Sequence, residues 1–376
     1  MTVPPDDPRT RDESLPDSST IRREFDEVRA RVRAIMDAHW QPEGFTVPHD
    51  TVYPFRWLWD SCFHALVWMA LGEPDRAVAE LTFTLSVQEP DGFVPHIHYV
   101  ADPGRHADFW GRAGTSTIAQ PPMFGHAVAE LVRVGVDVPA ELVDRADRGL
   151  AWWFRARRHA SGLIAAHHPW ETGCDDSPRF DHWGAANPAR WYEAKGELVR
   201  EPFDCAAVGL TALVAWNQRE LAATHGGFEP ADELAAALAG RWDPRRRTWV
   251  DAGSSAISSG RTRTLEALLP LLVEERAEVR RAALGELADP EAFAGRYGPR
   301  GTHAAEPAYD PTRYWRGGVW PQLAYLLWRA GADDVAEPTV AGALSSGFAE
   351  WWHPDTGEGL GAVPQSWTGL VLLTGM

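Results

Sequence analysis

The sequence predicts an all-α protein in which pairs of helices follow one another around a ring. Apolar residues recur at helical spacing in about twelve windows, whereas strand-like runs are scarce and short. The same tight turn also separates consecutive helices at three places. No break in composition divides the chain. We therefore expect a single domain over residues 18–376, preceded by a polar, proline-rich and disordered tail at residues 1–17.

The helical windows can be placed in chain order. The first begins near Ser18, because Phe25, Val28, Val32 and Met36 keep one face of a helix apolar. The later windows are predicted at residues 59–71, 74–88, 121–134, 140–158, 203–226, 230–240, 262–275, 277–287, 317–331, 333–349 and 366–375. One short strand-like run lies at residues 93–98.

A weak internal repeat indicates that these helices are paired. Gly72, Gly135 and Gly331 each end a helical window, and Pro or Asp begins the next window two residues later. Glycine ends a helix by taking the left-handed conformation, and Pro or Asp suits the first turn of the next helix. Three such hairpins favour a ring of helix pairs, although any helical protein can reuse this turn.

Long connections hold the unusual residues. They lie at residues 41–58, 89–120, 159–202 and 288–316. Long segments without regular structure are uncommon in a compact domain unless they have a function. In a ring of helices we expect them to gather at one end, around the central hole.

Composition and charge exclude several classes of protein. With 36 basic and 53 acidic residues the formal net charge is −17, which disfavours a nucleic-acid partner. No apolar run is long enough to span a bilayer, and the charged N-terminus does not resemble a signal peptide. Three widely spaced cysteines, Cys62, Cys174 and Cys205, form no zinc motif or disulfide scaffold. We expect a cytoplasmic protein without a membrane partner.

Tryptophan is the compositional outlier, with 19 residues against 7 tyrosines. Trp68, Trp153 and Trp216 lie in helical windows and are expected in the core. Many of the others lie in the connections, close to charged residues. Such a distribution is typical of a cleft lined with flat rings.

The most acidic connection is residues 167–181, with four carboxylates within eleven positions. An Asp held against indoles and near other carboxylates has a raised pKa and can serve as a general acid. The alternative interpretation is a solvated acidic turn.

Three further segments combine aromatic and polar side chains, at residues 53–62, 314–322 and 348–359. Alternating indoles, Asp and Arg suit a sugar, whose C–H face stacks on a ring while carboxylates bind its hydroxyls. A buried aromatic turn with an Arg–Asp pair would give the same pattern in the first segment. Two separated acidic groups are what glycoside hydrolysis requires.

Other chemistries have weaker support. The serine-hydrolase and zinc-protease motifs GxSxG and HExxH are absent from the sequence. His96 and His98 could bind a metal, but no third ligand is evident, and we expect neither a metal nor a cofactor. Two alternatives to a glycosidase stay open: a sugar isomerase or epimerase and a non-catalytic sugar-binding protein. The isomerase would use bases among five histidines: His96, His98, His126, His167 and His168.

Taken together, the motifs resemble glycoside hydrolase family 63. The resemblance is carried by residues 53–60, 120–126, 168–179 and 314–320, and it extends from about residue 40 to the C-terminus. Within the family, the bacterial mannosylglycerate and glucosylglycerate hydrolases are the most similar, and trehalases and processing α-glucosidase I are more distant. The resemblance implies an (α/α)6 barrel and an inverting α-glycosidase acting on a small α-glycoside.

The resemblance also implies roles for individual residues. Asp175 corresponds to the general acid of the family's Glu-Ser-Gly-x-Asp motif, with Thr172 in place of Ser. Glu350 corresponds to the general base, and Glu358 is its rival. The sugar pocket would be lined by Tyr53, Trp57, Trp59, Asp60, Gln120, Trp170, Arg316, Trp320 and Trp367.

One segment departs from the family pattern. Between Asp181 and Phe203 the chain is shorter than in the glycerate-specific members. The resemblance implies that this region helps to bind the glycerate carboxylate. Basic residues here or nearby are Arg179, Arg190, Lys195 and Arg200, but none falls in a matching motif. The aglycone and the gluco or manno preference are therefore left open.

Overall fold

The computed structural model describes residues 18–183, 203–226, 230–256 and 259–374. The predicted tail at residues 1–17 lies outside these ranges, as does most of the short segment at 181–203. The described backbone is mostly helical, as predicted. Its α-helices, numbered α1 to α12 in chain order, are Ser18–His39, Leu58–Ala70, Pro74–Leu85, Ala107–Trp110, Phe124–Arg133, Ala140–Ala156, Val208–His225, Ala231–Ala239, Ala277–Ala288, Pro321–Arg329, Ala336–Ser345 and Val371–Thr374.

Strands in the described ranges are two residues long and form antiparallel pairs of consecutive strands. Numbered β1 to β12, they are Trp40–Gln41, Phe45–Thr46, Arg56–Trp57, Ile97–His98, Ala165–Ala166, Cys205–Ala206, Trp242–Asp243, Thr248–Trp249, Ala294–Gly295, Gly298–Pro299, Trp351–Trp352 and Gly359–Leu360. The pairs β3–β4 and β5–β6 immediately precede α2 and α7, and a bridge between Val319 and Trp352 precedes α10. These short ladders therefore brace the connections at the N-terminal ends of three helices.

Two predicted helical windows differ from the structure. Residues 262–275 contain the 3-10 helix Glu266–Leu272 instead of an α-helix, because Pro270 lies inside it and cannot donate to the preceding turn. Residues 366–375 begin as the 3-10 helix Ser366–Leu370. The short helix α4 lies within a segment predicted to be an irregular connection.

The three predicted helix hairpins are confirmed. Gly72, Gly135 and Gly331 have φ angles of 80°, 82° and 92° and stand between α2 and α3, α5 and α6, and α10 and α11. Helix α3 begins at Pro74. The left-handed glycine thus reverses the chain at each hairpin.

Six elements form the most buried layer: α2, α5, α7, Glu266–Leu272, α10 and Ser366–Leu370. In α2 every residue from Leu58 to Trp68 is buried, including the polar Asp60, Ser61 and His64. Each of the six elements contacts the next in chain order, and the last contacts α2. Helices α3, α6, α8, α9 and α11 pack against them, and α1 packs against Ser366–Leu370.

The tryptophans expected in the core lie there. Trp68, Trp153 and Trp216 are all buried in the main hydrophobic cluster. Among the described residues, no helix is both long enough and apolar enough to cross a membrane.

Candidate active site

A cavity opens where the connections meet the N-terminal ends of the buried layer. It is lined by Pro48, Tyr53, Trp57, Trp59, Asp60, Gln120, Gly173, Asp175, Tyr314, Trp315, Glu350, Gln365 and Trp367. Three carboxyl groups, two amides and six aromatic side chains therefore face one space. A wider surface groove beside α8 shares no residue with this cavity.

Glu350 is held firmly at the bottom of the cavity. It directly precedes β11, and its side chain is 2 % exposed. Its Oε2 accepts a hydrogen bond from the Ala362 amide at 3.0 Å, and Tyr53 Oη donates to Oε1 at 3.1 Å. Tyr314 Oη adds a longer contact to Oε1 at 3.5 Å. Burial raises the pKa of Glu350, although these three donors oppose the rise by stabilising the ionised form.

Asp175 follows a tight turn that fixes its direction. Thr172 Oγ1 donates to the Pro169 carbonyl at 2.7 Å and accepts from the Cys174 amide at 3.1 Å. Gly173 then takes a φ of 77°, and a Cβ there would lie 2.7 Å from the Trp59 ring. Only glycine therefore lets the acidic segment close against this indole.

Asp175 is a half-buried residue of the cavity lining. In the part of the chain that the structure describes, its carboxyl group has no hydrogen-bond or ion-pair partner. Loss of bulk water, reinforced by the charges of Glu350 and Asp60, raises the pKa of Asp175 well above its usual range.

Asp60 completes the acidic trio from the first turn of α2. It is buried, and burial together with the Glu350 charge raises its pKa well above the ordinary value. The preceding residue, Trp59, donates its backbone N–H to Gln120 Oε1 at 3.2 Å. This bond ties the start of α2 to the segment before α5.

The three carboxyl groups differ in how strongly they retain a proton. Glu350 has three hydrogen-bond donors that favour its ionised form, whereas Asp175 has none among the described side chains. Each negative charge in the cavity also favours the neutral form of its neighbours. The donors therefore favour ionisation of Glu350 relative to Asp175, a difference between two carboxyl groups that acid and base catalysis requires.

Stacked indoles support one wall of the cavity. Trp315 lies in the lining and stacks on Trp320 with ring centroids 3.7 Å apart. Trp320 in turn stacks on Trp351 at 5.7 Å. Trp367 packs edge-on against Trp320 and also meets Trp59 in a T-shaped contact. The rings fix one another, so the wall is rigid before a ligand binds.

Several polar atoms of the lining are buried without a partner. They are Trp57 Nε1, Trp315 Nε1 and Gln365 Oε1, and no described residue forms a hydrogen bond with them. An unpaired buried polar atom costs about 1–3 kcal/mol, so such atoms need a ligand or ordered water.

Most of the predicted pocket residues do line the cavity. Those in the lining are Tyr53, Trp57, Trp59, Asp60, Gln120, Trp367 and the two predicted catalytic carboxylates. Sequence reasoning missed Pro48, Gly173, Tyr314 and Gln365 as lining residues. Gly173 lies in the recognised motif at residues 168–179, and Tyr314 and Trp315 lie in the one at residues 314–320. The motifs therefore located the segments that form the cavity wall but did not identify every residue that faces the cavity.

Three predicted lining residues lie elsewhere. Trp320 is fully buried behind Trp315, and Trp170 packs against His96 and His168 beside the cavity. Arg316 binds the carboxylate of Asp176, with Nη2–Oδ1 at 3.1 Å, and it is not part of the cavity lining.

Other predicted candidates are also placed by the structure. Glu358, the rival base, is exposed in the turn between β11 and β12 and lies outside the lining. Arg179 is 1 % exposed and forms an ion pair with Asp251 at 2.7 Å, so its charge is already paired inside the protein. The other three basic candidates, at positions 190, 195 and 200, lie outside the described residues.

The five histidines of the isomerase alternative are absent from the cavity lining. His96 is fully buried, and its Nδ1 bonds to Ser116 Oγ at 2.6 Å. Within the described ranges, one group has metal-ligand spacing, namely His126, Glu130 and Glu220. Arginines already neutralise both of its carboxylates, which makes an ion network the better description.

Comparison with known proteins identifies the family of the chain. Residues 53–368 match the family described as "Mannosylglycerate hydrolase MGH1-like glycoside hydrolase domain". A mannosylglycerate hydrolase from Thermus thermophilus is 27 % identical over 88 % of this chain and 96 % of its own length. A glucosylglycerate hydrolase from Mycolicibacterium hassiacum is 26 % identical over 86 % of this chain and 92 % of its own.

Solved structures show the same similarity. The crystal structure of a family 63 mannosylglycerate hydrolase from Thermus thermophilus, in complex with Tris and D-glycerate, has a TM-score of 0.76 and 25 % identity. The alignment covers 92 % of this chain and 99 % of that one. A more distant glycosidase, 15 % identical with a TM-score of 0.62, shares the fold alone.

Proposed function

Because the chain belongs to the mannosylglycerate hydrolase MGH1-like family and is a glycoside hydrolase, we propose that it hydrolyses a small α-glycoside with inversion. Asp175 acts as the general acid and Glu350 as the general base. The observation that carries this proposal is the acidic trio in one aromatic cavity, where the donors to Glu350 favour its charge and the surroundings of Asp175 favour its proton.

In the proposed reaction, Asp175 gives its proton to the glycosidic oxygen as the bond from that oxygen to the anomeric carbon breaks. Glu350 takes a proton from a water molecule, whose oxygen bonds to the anomeric carbon from the opposite face. The aglycone leaves as a neutral alcohol group, and the sugar is released with inverted configuration. Inverting enzymes need their two carboxyl groups about 6.5–9.5 Å apart to leave room for this water.

Neighbouring side chains orient the base and the sugar. The Tyr53 hydroxyl and the Ala362 amide hold the Glu350 carboxylate in place, with the longer Tyr314 contact beside them. The stacked Trp315 presents a flat face for the sugar ring, and Asp60 can accept hydrogen bonds from its hydroxyls. A rigid, pre-organised site of this kind lowers the entropic cost of the reaction.

The proposed substrate is a glycosylglycerate, either glucosylglycerate or mannosylglycerate. Its support is the similarity to relatives that bear these names, over nearly their whole length. The proposal extends to the architecture, since the buried layer and its outer partners would close as an (α/α)6 barrel forming one domain from residue 18. Three free, buried cysteines support the expected cytoplasmic location.

The test compares three isosteric variants: Asp175→Asn, Glu350→Gln and Glu358→Gln. Activity is measured on both glycosylglycerates, and NMR identifies the first anomer released. We expect the first two variants to lose roughly 10²-fold or more in kcat, whereas the exposed Glu358→Gln control keeps parental activity. Full activity of Asp175→Asn or of Glu350→Gln would refute the mechanism. So would first release of the sugar with the same anomeric configuration as in the substrate.

A further inference from the structure

A fully buried carboxylate, Glu171, lies next to the active site but outside the cavity lining. It belongs to the 3-10 helix Pro169–Thr172. Its Oε1 accepts hydrogen bonds from the Ala119 amide at 3.1 Å and from Arg157 Nη2 at 2.9 Å, and its Oε2 accepts one from the His167 amide at 2.7 Å. A buried ion pair adds little net stability, because the cost of desolvation offsets the attraction. These bonds therefore matter chiefly for the geometry that they impose.

The three donors to Glu171 come from separate parts of the chain. Ala119 lies in the segment before α5, Arg157 directly follows α6, and His167 directly follows β5. Arg157 is itself held in place, because its Nη1 bonds to His167 Nδ1 at 2.7 Å and its guanidinium carbon lies 4.9 Å from the centre of the Trp152 ring. One carboxylate thus joins three segments at a single point.

A closed circuit of contacts runs from Glu171 through the cavity wall and back. Ala119, which donates to Glu171, is followed by Gln120, whose Oε1 accepts the Trp59 backbone N–H at 3.2 Å. The Trp59 ring packs against Gly173, where an added Cβ would lie 2.7 Å from the ring. Gly173 in turn ends the 3-10 helix that carries Glu171. Gln120, Trp59 and Gly173 all line the cavity.

The direction of Asp175 depends on the same turn. The Glu171 amide donates to the His168 carbonyl at 3.0 Å, and Thr172 Oγ1 accepts from the Cys174 amide at 3.1 Å. The Asp175 carboxyl has no hydrogen-bond partner of its own among the described side chains. Its position is therefore set by the backbone beneath it, and Glu171 ties that backbone to the rest of the molecule.

A general acid must lie within hydrogen-bond reach of the glycosidic oxygen, and a small displacement lowers the rate strongly. We propose that Glu171 is the positioning residue of the general acid: its carboxylate holds the turn so that Asp175 meets the glycosidic oxygen. This inference rests on the proposed function, in which Asp175 is that acid. Glu171 itself touches neither the substrate nor the reacting atoms.

Substrates that differ in their need for an acid test this proposal. Hydrolysis of α-glucosylglycerate releases an alcohol group, which needs a proton, whereas α-glucosyl fluoride releases a fluoride ion, which does not. Both reactions still need the base to activate water. For Glu171→Gln we expect kcat on the glycosylglycerate to fall roughly 10- to 100-fold with KM nearly unchanged, and kcat on the fluoride to change less than about threefold. The mannosyl pair of substrates is measured in the same way.

Two more single variants guard against a general loss of structure. Glu220→Gln removes another ion-paired carboxylate, which binds Arg133 at 2.7 Å near the C-terminal ends of α5 and α7, and it should change neither rate. Arg157→Gln leaves both backbone donors to Glu171 in place. It should reproduce the selective loss at a smaller amplitude of about 3- to 10-fold, and it tests the proposal even where Glu171→Gln does not fold.

A double variant shows whether Glu171 acts through Asp175. In the Asp175→Asn background, adding Glu171→Gln should lower kcat by less than about threefold on either substrate, because residues that act as a unit are not additive. Equal losses on both substrates for Glu171→Gln, no loss on either, or a full additional loss in the double variant would overturn the role of Glu171.

The single variant Asp175→Asn separates this inference from the proposed function. It should lose activity on the glycosylglycerate and keep most of its activity on the fluoride. If this pattern appears for Asp175→Asn but not for Glu171→Gln, only the inference fails. If Asp175→Asn loses both activities equally, or the parent hydrolyses none of the four substrates, the proposed function fails and the inference fails with it.

Discussion

Gly361 is the most sensitive position near the proposed base. It has a φ of 74°, and a Cβ added there would lie well inside 3.0 Å of Glu350 Oε2 and 2.8 Å from Trp351 Nε1. Because real Cβ atoms essentially never come within 3.0 Å of another heavy atom, the carboxylate must retreat by roughly half an ångström or more. The Ala362 amide next to Gly361 binds the same oxygen, so the retreat also strains that hydrogen bond.

The expected consequence of Gly361→Ala is a loss of activity that exceeds the loss of stability. A displacement of about 1 Å in a catalytic group can cost 10²-fold in rate, so we expect kcat to fall roughly 10- to 100-fold. Forcing alanine into the left-handed region costs about 1–2 kcal/mol of folding free energy. Steady-state kinetics and thermal unfolding of the same preparation separate the two effects.

Gly347→Ala is the matched control. Its φ of 73° imposes the same backbone strain, but the nearest atom to an added Cβ is Val363 Cγ1 at an ordinary 3.7 Å. This variant should lose similar stability and keep parental kcat. If Gly361→Ala retains parental kcat, or Gly347→Ala loses as much activity, the reasoning about the carboxylate position is refuted.

Two further predictions concern stability. Burial raises the pKa of Asp60 in the folded state, so the folded protein holds the Asp60 proton more tightly than the unfolded chain does. The stability that this proton contributes is present at low pH and is lost as pH rises through the folded-state pKa. Asp60→Asn should therefore raise Tm more at about pH 8 than at about pH 4, and a pH-independent change in Tm would contradict this. Arg179→Met should destabilise by about 3–5 kcal/mol because it leaves Asp251 charged and buried, and denaturant titration should show partial recovery on adding Asp251→Asn. Additive losses in the double variant would show that the pair is not coupled.

The sequence located the acidic and aromatic segments because each is continuous in the chain. Asp175 and Glu350 face the cavity, as the motifs predicted. The misplacement of Trp320 in the lining has a physical cause. Trp315 has a φ of 58°, a left-handed conformation that a bulky residue rarely adopts, and it changes which neighbouring side chains face inward. A pattern of residue types does not reveal such a reversal.

Arg316 was misplaced for a related reason. An arginine in an aromatic motif fits a sugar site and an internal ion pair equally well, and its partner Asp176 lies 140 positions away. The lining role of Gln365 was also hidden, although its segment had been noted. Its place depends on the neighbouring Ser366, which donates its amide to the Pro48 carbonyl near the other end of the chain. Long-range pairings of this kind decide details that local sequence cannot.

The contacts between the N-terminal and C-terminal parts of the chain have a consequence for the order of folding. Tyr53 and Glu350, 297 positions apart, meet in the cavity, and His39 bonds to Ser366 Oγ at 2.6 Å. The site is therefore complete only after the longest loop in the molecule has closed, which is entropically among the last steps of folding. A nascent chain that lacks its final helical turns lacks the bond from Trp367 Nε1 to the Glu350 carbonyl at 3.1 Å, which helps to fix the backbone of the proposed base. Recovery of turnover during refolding should thus lag behind recovery of helical circular dichroism, so that catalysis reports formation of these long-range contacts.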